Sequence, residues 1–245
     1  MGPVLLSYGK NGQERNMIGI IGAMDEEVAA LKESMENKEV VEKAGMCFVK
    51  GRLCGKDVVV VRSGIGKVNA AVCTQILADC FQVSEVINTG IAGSLDAKID
   101  IGDIVLSTDV LHHDMDATGF GYPLGQVPRM DTLSFEASAA MREKAKRACE
   151  KVNPDIHVFE GRVVSGDQFV SSQEKKDWIY QNFHGCCTEM EGAAIAHTAY
   201  LNGIPFLIVR AISDKADNSA HVDYPEFEAK AIQHTVRLMK EYVAG

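Results

Sequence analysis

The chain has 245 residues, 46% of them hydrophobic, and a formal net charge of -9. That size and apolar share predict one domain with a substantial core, and an acidic surface without clustered Lys and Arg argues against a nucleic-acid partner. The seven cysteines include no C-x-x-C pair and read as reduced thiols of a cytoplasmic protein, not as a zinc or redox site.

Residues 1–16, MGPVLLSYGKNGQERN, lack the basic start and long apolar centre of a secretory signal. They read as a short leader before a domain spanning 17–245. No apolar run approaches the roughly 20 residues that cross a bilayer. MIGIIGAM, Met17 to Met24, is a short apolar strand, and DEEVAALKESM follows as a helix with Met24, Val28, Leu31 and Met35 at helical spacing. Asp25, Glu26 and Glu27 then fall in the first turn, where the helix dipole favours acids. CFVKGRLCGKDVVVVRSG predicts two strands joined at Gly-Lys-Asp, and KVNAAVCTQILADCF a helix. A strand at Glu85 to Thr89 leads to a Gly-broken turn, TGIAGS, and a further strand at DIVLSTDVLHHD. Residues 115–133 form the longest stretch without periodicity, of the kind that is functional or meets a partner. LSFEASAAMREKAKRACEKV is an amphipathic helix, HVFEGRVVSGDQF a strand running into a loop, KKDWIYQNF a short helix and PFLIVRAISD a buried strand. The final helix starts near Pro225 with Phe227, Ala231, His234, Leu238 and Tyr242 on one face. Alternating strands and helices predict an α/β fold with a mostly parallel sheet.

Several motif look-alikes fail on inspection. SGIGKV lacks the frame and hydroxyl of a phosphate loop, and neither Gly64-Ile65-Gly66 nor Gly90-Ile91-Ala92-Gly93 completes a dinucleotide fingerprint. His112, His113, Asp114 and Asp116 lie together, but metal ligands normally come from several elements. His197 shares a helical face with Met190, Ala193, Ala194 and Leu201 and reads as a core histidine. No nucleophile elbow or Cys–His pair occurs.

What remains is a set of acids at the ends of strands: Glu27, the cluster Glu189-Met190-Glu191, and Asp214. Open α/β sheets bind ligands at those ends. Taken singly, each has a plain structural reading. Glu27 and Glu191 are first-turn acids, with Asp25 as well placed as Glu27, and Asp214 is an N-cap or turn residue. Taken together they suit a glycosidic bond, cleaved by one acid that protonates the leaving group and another that activates water.

In this order and at these separations, GIIGAMDEEV, SGIGKVNAA, NTGIAGS, HHDMDATGFGYPLGQVP, VSGDQFV, EMEGAAIAH and VRAISDKAD resemble the bacterial 5′-methylthioadenosine/S-adenosylhomocysteine nucleosidases. The likeness runs from Met17 to the C-terminus. It implies a nucleoside phosphorylase-like fold, a single α/β domain around a mixed, partly barrel-like sheet flanked by helices. It also implies a homodimer that works without cofactor or metal and hydrolyses the substrate to adenine and a 5-thioribose product. On this resemblance Asp214 protonates the adenine ring nitrogen near the glycosidic bond, and Glu27 takes the proton of the attacking water. Glu191 and Met190 bind the ribose, Glu189 and Arg210 hold the water, and Phe169, Val170, Ser213 and Ala92 surround the adenine. The alkylthio group falls to Met24, Ile65 and Tyr224, completed by Phe120 and Pro128 on loop 115–133 of the other subunit.

Two positions depart from the family pattern: Ile91 stands where some members carry a serine, and Ala117 where a valine is common. The first removes a hydroxyl from the site. Phosphorylases of the superfamily hold phosphate with arginines and a serine near such turns, whereas this chain offers Asp25 to Glu27, Asn88 and Ile91, which favours water as the nucleophile. The alternatives are a futalosine-type hydrolase, a phosphate-dependent phosphorylase and a nucleoside-binding sensor without turnover.

Overall fold

The computed structural model describes residues 17–218 and 220–245, except for the side chains of 221–226. The expected leader lies outside the described residues. In chain order the first half holds β1 (Ile18–Gly22), α1 (Asp25–Glu33), β2 (Glu36–Lys43), β3 (Met46–Leu53), β4 (Lys56–Arg62), α2 (Lys67–Ile76), β5 (Glu85–Ser94) and β6 (Ile104–His112). The second half holds β7 (Phe135–Glu136), α3 (Ala139–Val152), β8 (Val158–Ser165), α4 (Gln173–Phe183), β9 (Cys187–Glu189), α5 (Gly192–Leu201), β10 (Phe206–Asp214) and α6 (Ala220–Ala244).

The ten strands form one mixed sheet. β5 pairs with β10, β10 with β6, β6 with β8, β8 with β9, and β9 returns to β5, which closes five strands into a small barrel. From β5 the sheet also runs outward through β1, β4, β3 and β2. β5 therefore has two partners on one edge: β1 along Glu85 to Asn88, then β9 at Gly93 and Ser94. Between them, residues 89–92 pair with no strand but β10 and leave that edge open. This split is the point where a ligand can reach the backbone of a central strand.

The strands read as the physics of burial requires. β1, β5 and β10 are buried along nearly their whole length; β1 is a continuous apolar run, while β5 and β10 carry their few buried polar side chains at and near the site. β2, ENKEVVEK, is exposed at nearly every position, which suits an edge strand protected from pairing by charge. Its polarity is why no strand is predicted there. The β3–β4 turn falls on Cys54 and Gly55, both with positive φ, one step earlier than Gly-Lys-Asp.

TGIAGS is not a turn; β5 continues straight through it to Ser94. Its glycines stay in the strand because side chains from other elements cross directly above them. A Cβ on Gly93 would lie 2.7 Å from both Ala216 Cβ and Asp214 Oδ1, and one on Gly90 would collide with Arg210 and Glu27. The α3 region also differs: Phe135 and Glu136 pair with β6, and the helix starts after Ser138, whose hydroxyl caps Met141 N–H. α6 begins at Ala220, earlier than Pro225, and buries Ala231, His234, Leu238 and Tyr242 as expected.

Candidate active site

One cavity of about 520 Å³ opens where β5 changes partners, lined among others by Met24, Glu27, Ile65, Ile91, Phe169, Met190, Glu191 and Asp214. That volume suits a drug-sized ligand. The acids at separate strand ends thus converge on a shared space. Ala92, Glu189 and Ser213 line it too, and Val170 lines a small recess beside it together with Phe169 and Asp214.

Glu27 is 2% exposed and folds back over its own helix start, accepting from the N–H of Ala23 at 2.6 Å and of Met24 at 3.1 Å. Its other oxygen accepts from Ile91 N–H at 3.2 Å, a donor left free by the open edge of β5. Register decides the choice between Glu27 and Asp25. Asp25 points outward to Arg62 at 3.4 Å, while Glu27 turns in. The position that departs from the family pattern, Ile91, serves Glu27 through its backbone and not its side chain.

Arg210 lies directly beside Gly90 in the β5–β10 register and is 1% exposed. With no Cβ on Gly90, the guanidinium passes across β5 toward Glu27. Its Nη2 donates to Glu189 and to Asn88, and stands 3.8 Å from Glu191. Glu189 is also held by the Ser165 hydroxyl and by the N–H of Glu191 and Gly192, at 3.1 and 2.8 Å. Glu191 accepts from Gly66 N–H at 2.8 Å, so the 64–66 turn is docked on the carboxylate assigned to the ribose.

One cation among three buried carboxylates leaves the site short of positive charge. Burial raises the Glu27 pKa above the usual carboxylate value, opposed by Arg210 and by the N–H of Met24, Ala23 and Ile91. Glu191 is raised likewise, first by burial and then by Glu189, with Arg210 opposing. Burial works against the charge on Arg210, but Glu189, Glu191 and Glu27 outweigh it and hold its pKa above the ordinary value.

Asp214 ends β10 just past a register shift at Ser213, a bulge that turns its carboxyl toward the cavity. It is 2% exposed and accepts from Ala216 N–H at 2.8 Å and from the Ser213 hydroxyl at 2.9 Å.

Other predicted positions separate from this group. Phe120 is 87% exposed, Pro128 is exposed too, and neither lines the cavity of its own chain. The side chain of Tyr224 lies outside the described residues. Asp114 of the His-Asp cluster is paired with Lys67 at 2.6 Å, and burial pushes His112 and His113 down to about 4. Among the described residues no group of three or more His, Cys, Asp or Glu side chains is placed to hold a metal. His197 is only half-buried and stacks on Phe135 at 4.7 Å, away from the cavity. Asn88 enters the sequence reading only as a group unsuited to phosphate, although a polar residue in the middle of a buried strand marks it, and Ser165, the last residue of β8, carries no role there.

A partly closed mixed sheet with a carboxylate-lined cavity at its strand ends defines an α/β enzyme of small molecules. A family model described as the phosphorylase superfamily matches residues 17–244. A 5′-methylthioadenosine/S-adenosylhomocysteine nucleosidase of Staphylococcus saprophyticus is 46% identical over 88% of this chain and 93% of its own. The crystal structure of such a nucleosidase from Neisseria meningitidis, in complex with methylthio-immucillin-A, superposes with a TM-score of 0.90 at 40% identity, covering 94% of this chain and 99% of that one. A futalosine hydrolase of Helicobacter pylori reaches 0.88 at 33% identity, covering 94% and 97%. The chain belongs to the phosphorylase superfamily and, within it, to the 5′-methylthioadenosine/S-adenosylhomocysteine nucleosidases.

Two outcomes follow from the geometry. Gly90→Ala should cost about 1–3 kcal/mol by overpacking and remove most activity, because Arg210 and Glu27 have to part. Thermal denaturation and adenine release measure both. Glu191→Gln tests the buried charge. Because the folded pKa of Glu191 is raised, its protonation favours the fold in acid, and that contribution is lost as pH climbs from the unfolded carboxylate value through the raised one. The variant should therefore gain melting temperature over the parent as pH rises and lose the advantage in acid; an advantage confined to acid would contradict the assignment.

Proposed function

We propose that the protein hydrolyses the N-glycosidic bond of 5′-methylthioadenosine and S-adenosylhomocysteine, with Glu27 and Asp214 as its base and acid. The observation that carries this reading is the meeting of Glu27, Glu191 and Asp214 in one cavity. Glu27 touches β5 at Gly90 and Ile91 and Asp214 touches it further on at Gly93, so the two carboxyls reach the cavity from different elements and at different points along the strand. Glycosidic hydrolysis by water needs two carboxyls set apart in this way, one for the water and one for the leaving group.

Asp214 donates a proton to the adenine ring nitrogen, the C–N bond breaks with its electron pair going to the base, and positive charge develops on the ribose. A water attacks the anomeric carbon and gives its proton to Glu27. Burial makes Glu27 a stronger base than a free carboxylate, while Arg210 keeps it ionisable. Glu191 accepts hydrogen bonds from the ribose hydroxyls, Met190 lies against the sugar, and Glu189 with Arg210 orients the water. The uncompensated carboxylates favour the cationic transition state over the neutral substrate. Phe169, Val170, Ser213 and Ala92 surround the adenine.

The same charge argues against phosphate as nucleophile. Arg210 stands behind the cavity lining and is already engaged by Glu189 and Asn88, so an anion would meet Glu27 and Glu191 instead. The futalosine hydrolase shares the fold, so the 5′ side distinguishes the two substrates. There Met24 and Ile65 offer an apolar wall suited to an alkylthio group.

The homodimer belongs to this reading. Val68 and Val72 on α2, Tyr200 and Leu201 on α5, and Phe120 and Leu133 around the irregular loop are exposed apolar side chains on packed or neighbouring elements. Covering them with a second copy would bring Phe120 and Pro128 to the neighbouring 5′ pocket. A cytoplasmic setting accords with seven free cysteines.

Glu27→Gln and Asp214→Asn should each lower kcat by about 10²–10⁴-fold with folding retained by circular dichroism; near-normal kcat in either withdraws that residue's role. Adenine release from methylthioadenosine should be unaffected by phosphate and faster than release from a futalosine-type nucleoside; phosphate dependence would establish a phosphorylase. Phe120→Ala should raise KM for methylthioadenosine more than it lowers kcat, and sedimentation of the parent as a monomer would refute the shared pocket.

A further inference from the structure

Asn88 is a fully buried amide inside an apolar strand, where a valine would pack without the cost of desolvating a polar group. It stands opposite Ile21 of β1 on one side and Ile208 of β10 on the other, at the last rung before the open edge of β5. Its Nδ2 donates to the Ile21 carbonyl at 2.9 Å, and its Oδ1 accepts from Arg210 Nη2. Arg210 needs that partner: its Nε has no hydrogen-bond partner, and Nη2 is shared between Asn88 and Glu189. A guanidinium is planar, so fixing one arm fixes the whole fork. The other arm, Nη1, lies over Gly90 next to Glu27 Oε1.

We infer that Asn88 is a positioning residue for the hydrolysis: anchored to the end of β1, its amide holds the Arg210 fork with one arm on Glu189 and the other facing Glu27. This rests on Glu27 being the base. The charged groups around Glu27 are Arg210 from β10, Glu189 from β9 and Glu191 at the start of α5, while Arg62 of β4 is engaged outside by Asp25. Arg210 is the one that keeps Glu27 and Glu191 ionisable against burial. Letting the fork swing away raises both, so either carboxylate moves the acid limb of the rate profile in the same direction.

The test is the pH dependence of kcat and kcat/KM for methylthioadenosine in Asn88→Ala and Asn88→Ser. Serine keeps a small polar group in the strand but is too short to hold the guanidinium, so it reads the same function if the alanine variant does not fold. The acid limb should move to higher pH by on the order of one unit, with kcat at neutral pH falling more than KM rises. In an Arg210→Lys background the Asn88 substitution should add little, since both act through one group. An unmoved acid limb in a folded variant, or a full additional loss beside Arg210→Lys, overturns the inference. Glu27→Gln is the separating control. If it stays active, the reading of Glu27 as base has failed; if it is inactive while Asn88→Ser matches the parent, the positioning role alone has failed.

Discussion

A single guanidinium buried among three carboxylates organises this molecule. Arg210 reaches across β5 only because Gly90 has no side chain, and Glu189, Glu191 and Glu27 gather round it. Removing one partner from a buried ion pair costs about 3–5 kcal/mol, so each of these groups restrains the others. The cluster nevertheless holds more carboxylates than its one cation can balance, and burial, with Glu189 beside Glu191, raises Glu27 and Glu191. That tension is useful in a site where positive charge develops on a sugar. Stability is given up in the resting protein and regained as the transition state forms.

The backbone does as much as the side chains. Glu27 is held by three N–H groups, and one of them, on Ile91, is available because β5 changes neighbours from β1 to β9. Glu27 is therefore anchored without a side-chain hydroxyl at this position. Asp214 owes its direction to the bulge at Ser213 and to Gly93, which clears the space its carboxyl occupies. Glu191 is set by the docked 64–66 turn, which also brings Ile65 to the cavity. Asp214, Glu27 and Glu191 thus come from different elements, yet each is tied to a rigid strand end or a tight turn. This is the preorganisation a hydrolase needs if it relies on position instead of a cofactor.

The 5′ side of the cavity is built differently. Met24 and Ile65 supply part of an apolar wall, and Ile65 is about half exposed in the single chain. The aromatic loop residue that the resemblance assigns there, Phe120, is exposed and does not line the cavity of its own chain. Glu27, Glu191 and Asp214 meet within one chain, while on the proposed reading selection of the 5′ group falls on the surface that a second copy would cover.

The amino-acid sequence by itself determined the α/β class, the buried strands β1, β4 and β10, and the order of the acids, because apolar runs and the spacing of helical faces are local properties. The ordered motifs also placed the chain in its family. The tertiary structure alone decided that β5 runs on through TGIAGS, that β2 is a strand, and that Glu27 and not Asp25 turns inward. It also brought Asn88 and Ser165 to Arg210 and Glu189. These features depend on contacts between residues far apart in the chain: a glycine in a strand looks like a turn until the side chain that crosses it is known. Likewise, a buried amide has no meaning until its partners on two other strands are in place.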